Sequence, residues 1–216
     1  MSSLKADIAA LRQELGHGMQ ADVRAIFERA TQRLVDSGIA EQAVTVGDHF
    51  PAFSLPNAGG IAIDSEDLLA QGPLIISFYR GGWCPYCSLE LRAYQQLLPR
   101  IKELGANLVA ISPQLPDESL TMAAKSGLAF EVLTDTGNSL ADHLGLAFDL
   151  PEAIVDLYRS MGFDLERING VMRWSLPIPA TYVVDSSSKI VAAHINADYS
   201  LRMEPSDALR ALADCS

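Results

Sequence analysis

The sequence predicts an α/β fold: a central, mainly parallel mixed sheet flanked by helices and preceded by a helical extension. Three observations carry this. The run Leu74-Ile75-Ile76-Ser77-Phe78-Tyr79 has the length and apolar continuity of a strand buried on both faces. It leads into residues 84–104, where Leu89, Leu91, Leu97, Leu98 and Ile101 recur at helical spacing. Short β-type runs and helical stretches then keep alternating, the pattern of βαβ units.

Residues 1–43 read as the helical extension and 44–216 as one domain. Leu4, Ile8, Leu11 and Leu15 form a first apolar stripe, Gly16-His17-Gly18 interrupts it, and Val23, Ile26, Phe27, Ala30 and Leu34 form a second before Gly38. Each stripe needs an apolar surface to cover, either on the chain's own domain or across a homodimer interface. From Val44 onward, strands are expected around Ala52–Leu55 and Ile61–Ile63, then strand 74–79, helix 84–104, strand Asn107–Ile111, helix 117–127 and strand Phe130–Leu133. Helical stretches near 138–145 and 151–161 precede an irregular turn at Asn169-Gly170. The chain closes with strand Thr181–Val184, a turn at Ser186–Ser188, strand Ile190–Ile195 and a helix over Pro205–Ala213.

The chain has 216 residues, enough to bury a substantial core in a single domain. Its 16 Lys plus Arg stand against 27 Asp plus Glu, a formal charge of -11, which argues against nucleic acid or an anionic membrane as the main partner. Lys5 and Asp7 break up the N-terminal region where a signal peptide would be apolar, and no run approaches the length of a membrane span. A cytoplasmic protein is expected. Three cysteines, two of them in one C-x-x-C, make no disulfide framework and suit a reducing compartment.

That C-x-x-C lies in Gly81-Gly82-Trp83-Cys84-Pro85-Tyr86-Cys87, where the buried strand becomes a helix. Unpaired N–H groups and the positive end of the helix dipole favour a thiolate there, and a thiolate is the nucleophile. Pro85 suits the first helical position, where its missing N–H has no intrahelical partner to lose. The spacing also brings Cys84 and Cys87 close enough for a reversible, redox-active disulfide. The pair could instead be half of a zinc site, but His17, His49, His143 and His194 are dispersed, so neither a metal nor a cofactor is expected. Cys215 reads as a free thiol near the C-terminus, with a redox relay as the alternative.

Two further stretches support a family resemblance. Val46-Gly47-Asp48-His49-Phe50-Pro51-Ala52-Phe53-Ser54-Leu55 fits the "GDxxPxFxL" opening of the peroxiredoxin superfamily, the alkyl hydroperoxide reductase and thiol-specific antioxidant proteins, and Phe78-Tyr79 matches the "FY" before that family's active site. The chain therefore resembles a peroxiredoxin-like protein, which implies a thioredoxin-like fold and a thiol-dependent peroxidase. In the family's P-x-x-x-T-x-x-C, the last residue attacks peroxide. Arg80 stands here at the Pro, Cys84 at the Thr and Cys87 at the attacking Cys, while Pro179 stands where a distant Arg would precede a later strand. Only the attacking sulfur of that set is thus expected to survive.

The replacements resemble thioredoxins: a second Cys, a preceding Trp83 as a substrate-facing platform, and Pro179, expected to follow a cis bond from Ile178. Ser77 stands where thioredoxins bury an Asp, so no buried carboxylate base is expected. Two orders of attack follow from the resemblance. Either Cys84 strikes first and Cys87 resolves, or Cys87 is oxidised to a sulfenic acid and Cys84 closes the disulfide. Arg80 is a candidate for polarising the peroxide. Thioredoxin or glutathione is the implied reductant and a hydroperoxide the implied substrate. A disulfide reductase, or a non-catalytic redox sensor or binding module, is the alternative.

Overall fold

A computed structural model describes residues 3–116, 118 and 127–214. The helix expected at 117–127 falls almost wholly outside these residues, as does Cys215. Two helices open the chain, α1 (Leu4–Gly18) and α2 (Ala21–Asp36), followed by a single turn, α3 (Ile39–Gln42). A small antiparallel ribbon of β1 (Ser54–Pro56) and β2 (Ala62–Asp64) leads to α4 (Ser65–Leu69). The centre of the fold is β3 (Leu74–Phe78), α5 (Pro85–Glu103), β4 (Asn107–Ser112) and β5 (Glu131–Thr134). Then come α6 (Ser139–His143), β6 (Ala147–Asp149), α7 (Glu152–Ser160), α8 (Leu165–Asn169) and β7 (Ser175–Pro177). The last elements are β8 (Ala180–Val184), β9 (Ile190–Ile195) and α9 (Pro205–Ala213).

The main sheet has the order β5-β4-β3-β8-β9. β3 runs parallel to β4, and β4 to β5, whereas β8 is antiparallel to both β3 and β9. β8 alone is reversed, so the expectation of a mainly parallel mixed sheet holds. Every residue of β3 is buried, as its almost wholly apolar run requires of a central strand. Pleating sends Leu74, Ile76 and Phe78 to a core shared with Phe50, Phe53 and Leu144. Ile75 points the other way, to Tyr94, Leu98 and Ile101 of α5 and Ala208 and Leu212 of α9. Ser77 follows Ile75 by two and so lies on the α5 face, opposite Thr181 in the β3–β8 register.

Three elements escape the sequence pattern. β6 and β7 pair as an antiparallel ribbon of three residues each, too short for alternation to register. The turn at Asn169-Gly170 is the end of α8, with Gly170 at φ 70° as its left-handed cap and the Asp164 carboxylate accepting from Arg167 N–H at its start.

The chain itself buries the start of the first N-terminal stripe and partly covers the second. Leu4 and Ile8 are buried in one cluster with Cys84, Tyr86, Cys87 and Leu91. Ile26, Phe27 and Ala30 of α2 pack against Ile154, Tyr158, Leu165 and Ile168. The start of α1 is held from the far end of the fold, because the backbone N–H groups of Leu4 and Lys5 donate to the Glu204 carboxylate at 3.1 and 2.7 Å.

Candidate active site

β3 delivers the chain to Tyr79, whose N–H still donates to Ile111 C=O at 3.0 Å, and the loop 80–84 then turns sharply into α5. Gly81 makes the turn at φ 143°, and a Cβ there would lie 2.4 Å from Trp83 Nε1 and 3.1 Å from Gln114 Oε1. The next N–H, of Gly82, donates to Gln114 Oε1 at 2.7 Å, so the end of β4 holds the loop. Cys84 is the N-cap of α5 and Pro85 its first helical residue. Cys84 and Cys87 are both free thiols, 1% and 0% exposed.

Two buried guanidinium groups face these sulfurs. Arg80 lies over the rings of Trp83 and Tyr199, 5.1 and 4.5 Å from their centroids, and donates to the Tyr158 hydroxyl. Trp83 in turn meets Tyr158 edge-on at 5.3 Å and Phe163 at 5.6 Å, which sets its indole in an aromatic wall. Arg202 arrives after β9, donates to Tyr199 C=O at 3.0 and 2.6 Å, pairs with the buried Glu90 carboxylate and brings Nη2 to 3.5 Å from Cys87 Sγ. Thr181 Oγ1 completes this line of contacts, donating to Glu90 Oε1 at 3.3 Å.

The charges settle on one sulfur. The Cys87 thiol donates a hydrogen bond to Cys84, which together with Arg80 and Arg202 overcomes burial and holds the Cys84 thiol down to about 5. Burial and the neighbouring Cys84 charge push Cys87 the other way, well above an ordinary thiol. Burial also pushes the Glu90 carboxyl up, with Arg202 opposing it. Burial works against the charges on Arg80 and Arg202, but their anionic neighbours keep both protonated.

The structure brings Arg80, Trp83, Cys84 and Cys87 together and sets Pro179, with Arg80, on the wall of an adjoining cavity. Three expectations are corrected. No cis peptide bond occurs among the described residues, so Ile178-Pro179 is trans, the ordinary preference of X-Pro, and Ile178 N–H donates to Leu146 C=O at 2.8 Å. An Arg does approach the dithiol, although none precedes β8: Arg202 reaches Cys87 from beyond β9. A buried carboxylate is present as well, Glu90 on α5 rather than a residue of β3. Glu90 could have been found, since its i+3 spacing from Cys87 puts a charge on the helix face that carries Leu91 and Tyr94. Nothing in the local pattern marks Arg202, Tyr158 or Tyr199.

The model of the AhpC/TSA family matches residues 46–193. The chain belongs to the AhpC/TSA family. A Mycobacterium tuberculosis protein provisionally named a peroxiredoxin is 29% identical over 153 residues, 71% of this chain and 86% of that protein. The chloroplastic peroxiredoxin Q of Sedum lineare is 26% identical over 62% of this chain and 71% of its own. Among solved structures, peroxidoxin BcpB of Mycobacterium tuberculosis matches with a TM-score of 0.63 at 20% identity, covering 80% of this chain and 99% of that one. That likeness shows the fold, a peroxiredoxin-type thioredoxin fold, and α1 and α2 precede the residues that the AhpC/TSA model matches.

Proposed function

We propose that this AhpC/TSA-family chain is a thiol-dependent peroxidase that reduces hydrogen peroxide or organic hydroperoxides through a Cys84–Cys87 dithiol–disulfide cycle, with Cys84 striking first. The observation that supports this order is the place of Cys84 as the N-cap of α5, at the positive end of the helix dipole with Arg80 and Arg202 near it, because these favour the thiolate, the reactive form. In the first step the Cys84 sulfur bonds to the nearer peroxide oxygen as the O–O bond breaks. Sulfur loses two electrons, and the other oxygen leaves with a proton as alcohol or water. The Cys87 thiol, still protonated, is a near source of that proton. The resulting Cys87 thiolate then attacks the sulfenic sulfur, an S–S bond forms as the S–O bond breaks, and the departing hydroxide takes a proton from solvent to leave as water. Thioredoxin, or a pair of glutathione molecules, returns two electrons and two protons and restores both thiols. In this reading Arg80 stabilises charge on the departing oxygen, and Trp83 and Pro179 shape the approach.

A second reading reverses the order, with Cys87 attacking. It rests on the 3.5 Å contact from Arg202 and on the place of Cys87 at the family's attacking position. Single-turnover oxidation of the wild type, Cys84→Ser and Cys87→Ser, with trapping of sulfenic acid, separates the two. Sulfenic acid on Cys84 in Cys87→Ser, with a slow Cys84→Ser variant, is the expected result, and sulfenic acid on Cys87 in Cys84→Ser would reverse the order. Wild type that is inert to peroxide but quick to reduce insulin disulfides would replace the peroxidase by a disulfide reductase. The trans bond before Pro179 removes one support from that alternative.

A further inference from the structure

Beside the dithiol loop lies a cavity of about 220 Å³. Its walls are mainly apolar, with Phe27, Ala30 and Leu34 on α2 facing Ile154, Ile178 and Pro179. α2 precedes residues 46–193, so this wall is an addition to the frame that the AhpC/TSA model describes. Arg33 and Asp149, both exposed, line it as well, and Asp149 is paired with Arg173 at 2.9 Å. Arg80 also lines the cavity, yet it is only 6% exposed, and its Nε has no hydrogen-bond partner among the described residues. A desolvated guanidinium on the wall of an apolar chamber complements a single anionic group carried on a hydrocarbon body.

Arg80 has a second face toward chemistry. Cys84 is among its neighbours, so a Cys84 thiolate balances part of its charge. Closing the Cys84–Cys87 disulfide removes that negative charge and leaves the guanidinium less compensated. An anion in the chamber then gains what the thiolate has given up.

We propose that this cavity binds an apolar monocarboxylate, its chain against α2 and its carboxylate on Arg80, and that it does so more tightly in the disulfide form than in the dithiol form. The redox half of this proposal rests on the Cys84–Cys87 cycle described above. Linkage makes the effect reciprocal: the carboxylate makes the disulfide harder to reduce by the same factor by which oxidation tightens its binding. A fatty acid or a similar amphiphile would thus slow recycling of the oxidised chain without touching either sulfur.

Titration calorimetry of the full chain with octanoate tests this on the reduced wild type, the oxidised wild type and Cys84→Ser, with uncharged 1-octanol as the comparison ligand. Saturable octanoate binding is expected, about fivefold or more tighter to the disulfide form and to Cys84→Ser than to the reduced wild type. 1-Octanol is expected to show no redox preference. Ala30→Trp, which fills the chamber from α2, should abolish octanoate binding while keeping the wild-type far-ultraviolet circular dichroism, and Leu34→Trp on the same wall repeats the test if Ala30→Trp does not fold. Absence of saturable binding, equal affinity in both redox states, or binding that survives the filled chamber would each overturn the proposal. Cys84→Ser removes the thiolate charge without any oxidation, so the charge effect is read even if peroxide never closes the disulfide, and the two failures are told apart.

Discussion

At the scale of single residues, the site is a problem of where two protons reside among four charged groups. Cys84 sits at the start of a 19-residue helix with a thiol donor and two guanidinium groups around it, and its pKa falls to about 5. The sign follows directly. A depressed pKa makes thiolate the resting form at neutral pH, and the reactive fraction drops only as pH falls through about 5. Alkylation by iodoacetamide measured against pH should show one early inflection near that value, absent in Cys84→Ser. An inflection near that of a free cysteine would show that the surrounding charges are not felt. Arg202→Met is expected to move the inflection upward. It should also destabilise the chain by about 3–5 kcal/mol in urea unfolding, because it strands the buried Glu90 carboxylate. Arg202→Met combined with Glu90→Leu should recover much of that loss, since neither charge is then buried alone.

At the scale of elements, geometry decides more than charge. Gly81→Ala would push a methyl group into the Trp83 indole and strain a backbone held at φ 143°. The expected result is slower peroxide turnover with an altered Trp83 emission, rather than global unfolding. α1 gives a separate test. Glu204→Ala removes the carboxylate that accepts from Leu4 and Lys5, and should cost about 1 kcal/mol, read as faster amide exchange over the first turns of α1.

These elements also show how much of the molecule could be read from its residues. β3 and α5 were legible because a six-residue run with five apolar residues and a long helical stripe each give a strong pattern, and the dithiol was legible because it lies at their junction. β6, β7 and α8 were not, because three to five residues hold too little periodicity and their stability comes from tertiary pairing. In the site, Arg80, Trp83, Cys84 and Cys87 were visible since they lie together in the loop after β3 and the first turn of α5. Arg202 was not, because 115 residues separate it from the sulfur it approaches, and only the β8–β9 turn brings it back.

At the scale of the whole molecule, α1 and α2 are bound into the same packing as the sheet. Leu4 and Ile8 share a cluster with the two cysteines, and Phe27 meets Tyr158, whose hydroxyl accepts from Arg80. Thermal unfolding followed by tryptophan fluorescence and by far-ultraviolet circular dichroism should therefore give coincident transitions. An early loss of helical signal would show that the N-terminal helices unfold on their own.

Synthesis runs from the N-terminus, so Cys84 and Cys87 are made long before Tyr199, Arg202 and Glu204. During that interval the dithiol has no Arg202, Arg80 has only one of its two ring partners, and α1 has no distant carboxylate to hold it. A nascent chain thus carries its dithiol with Arg80 beside it but without Arg202. The last part of the positive charge around Cys84 arrives with one short segment between β9 and α9, so full arming of the nucleophile waits on completion of the fold.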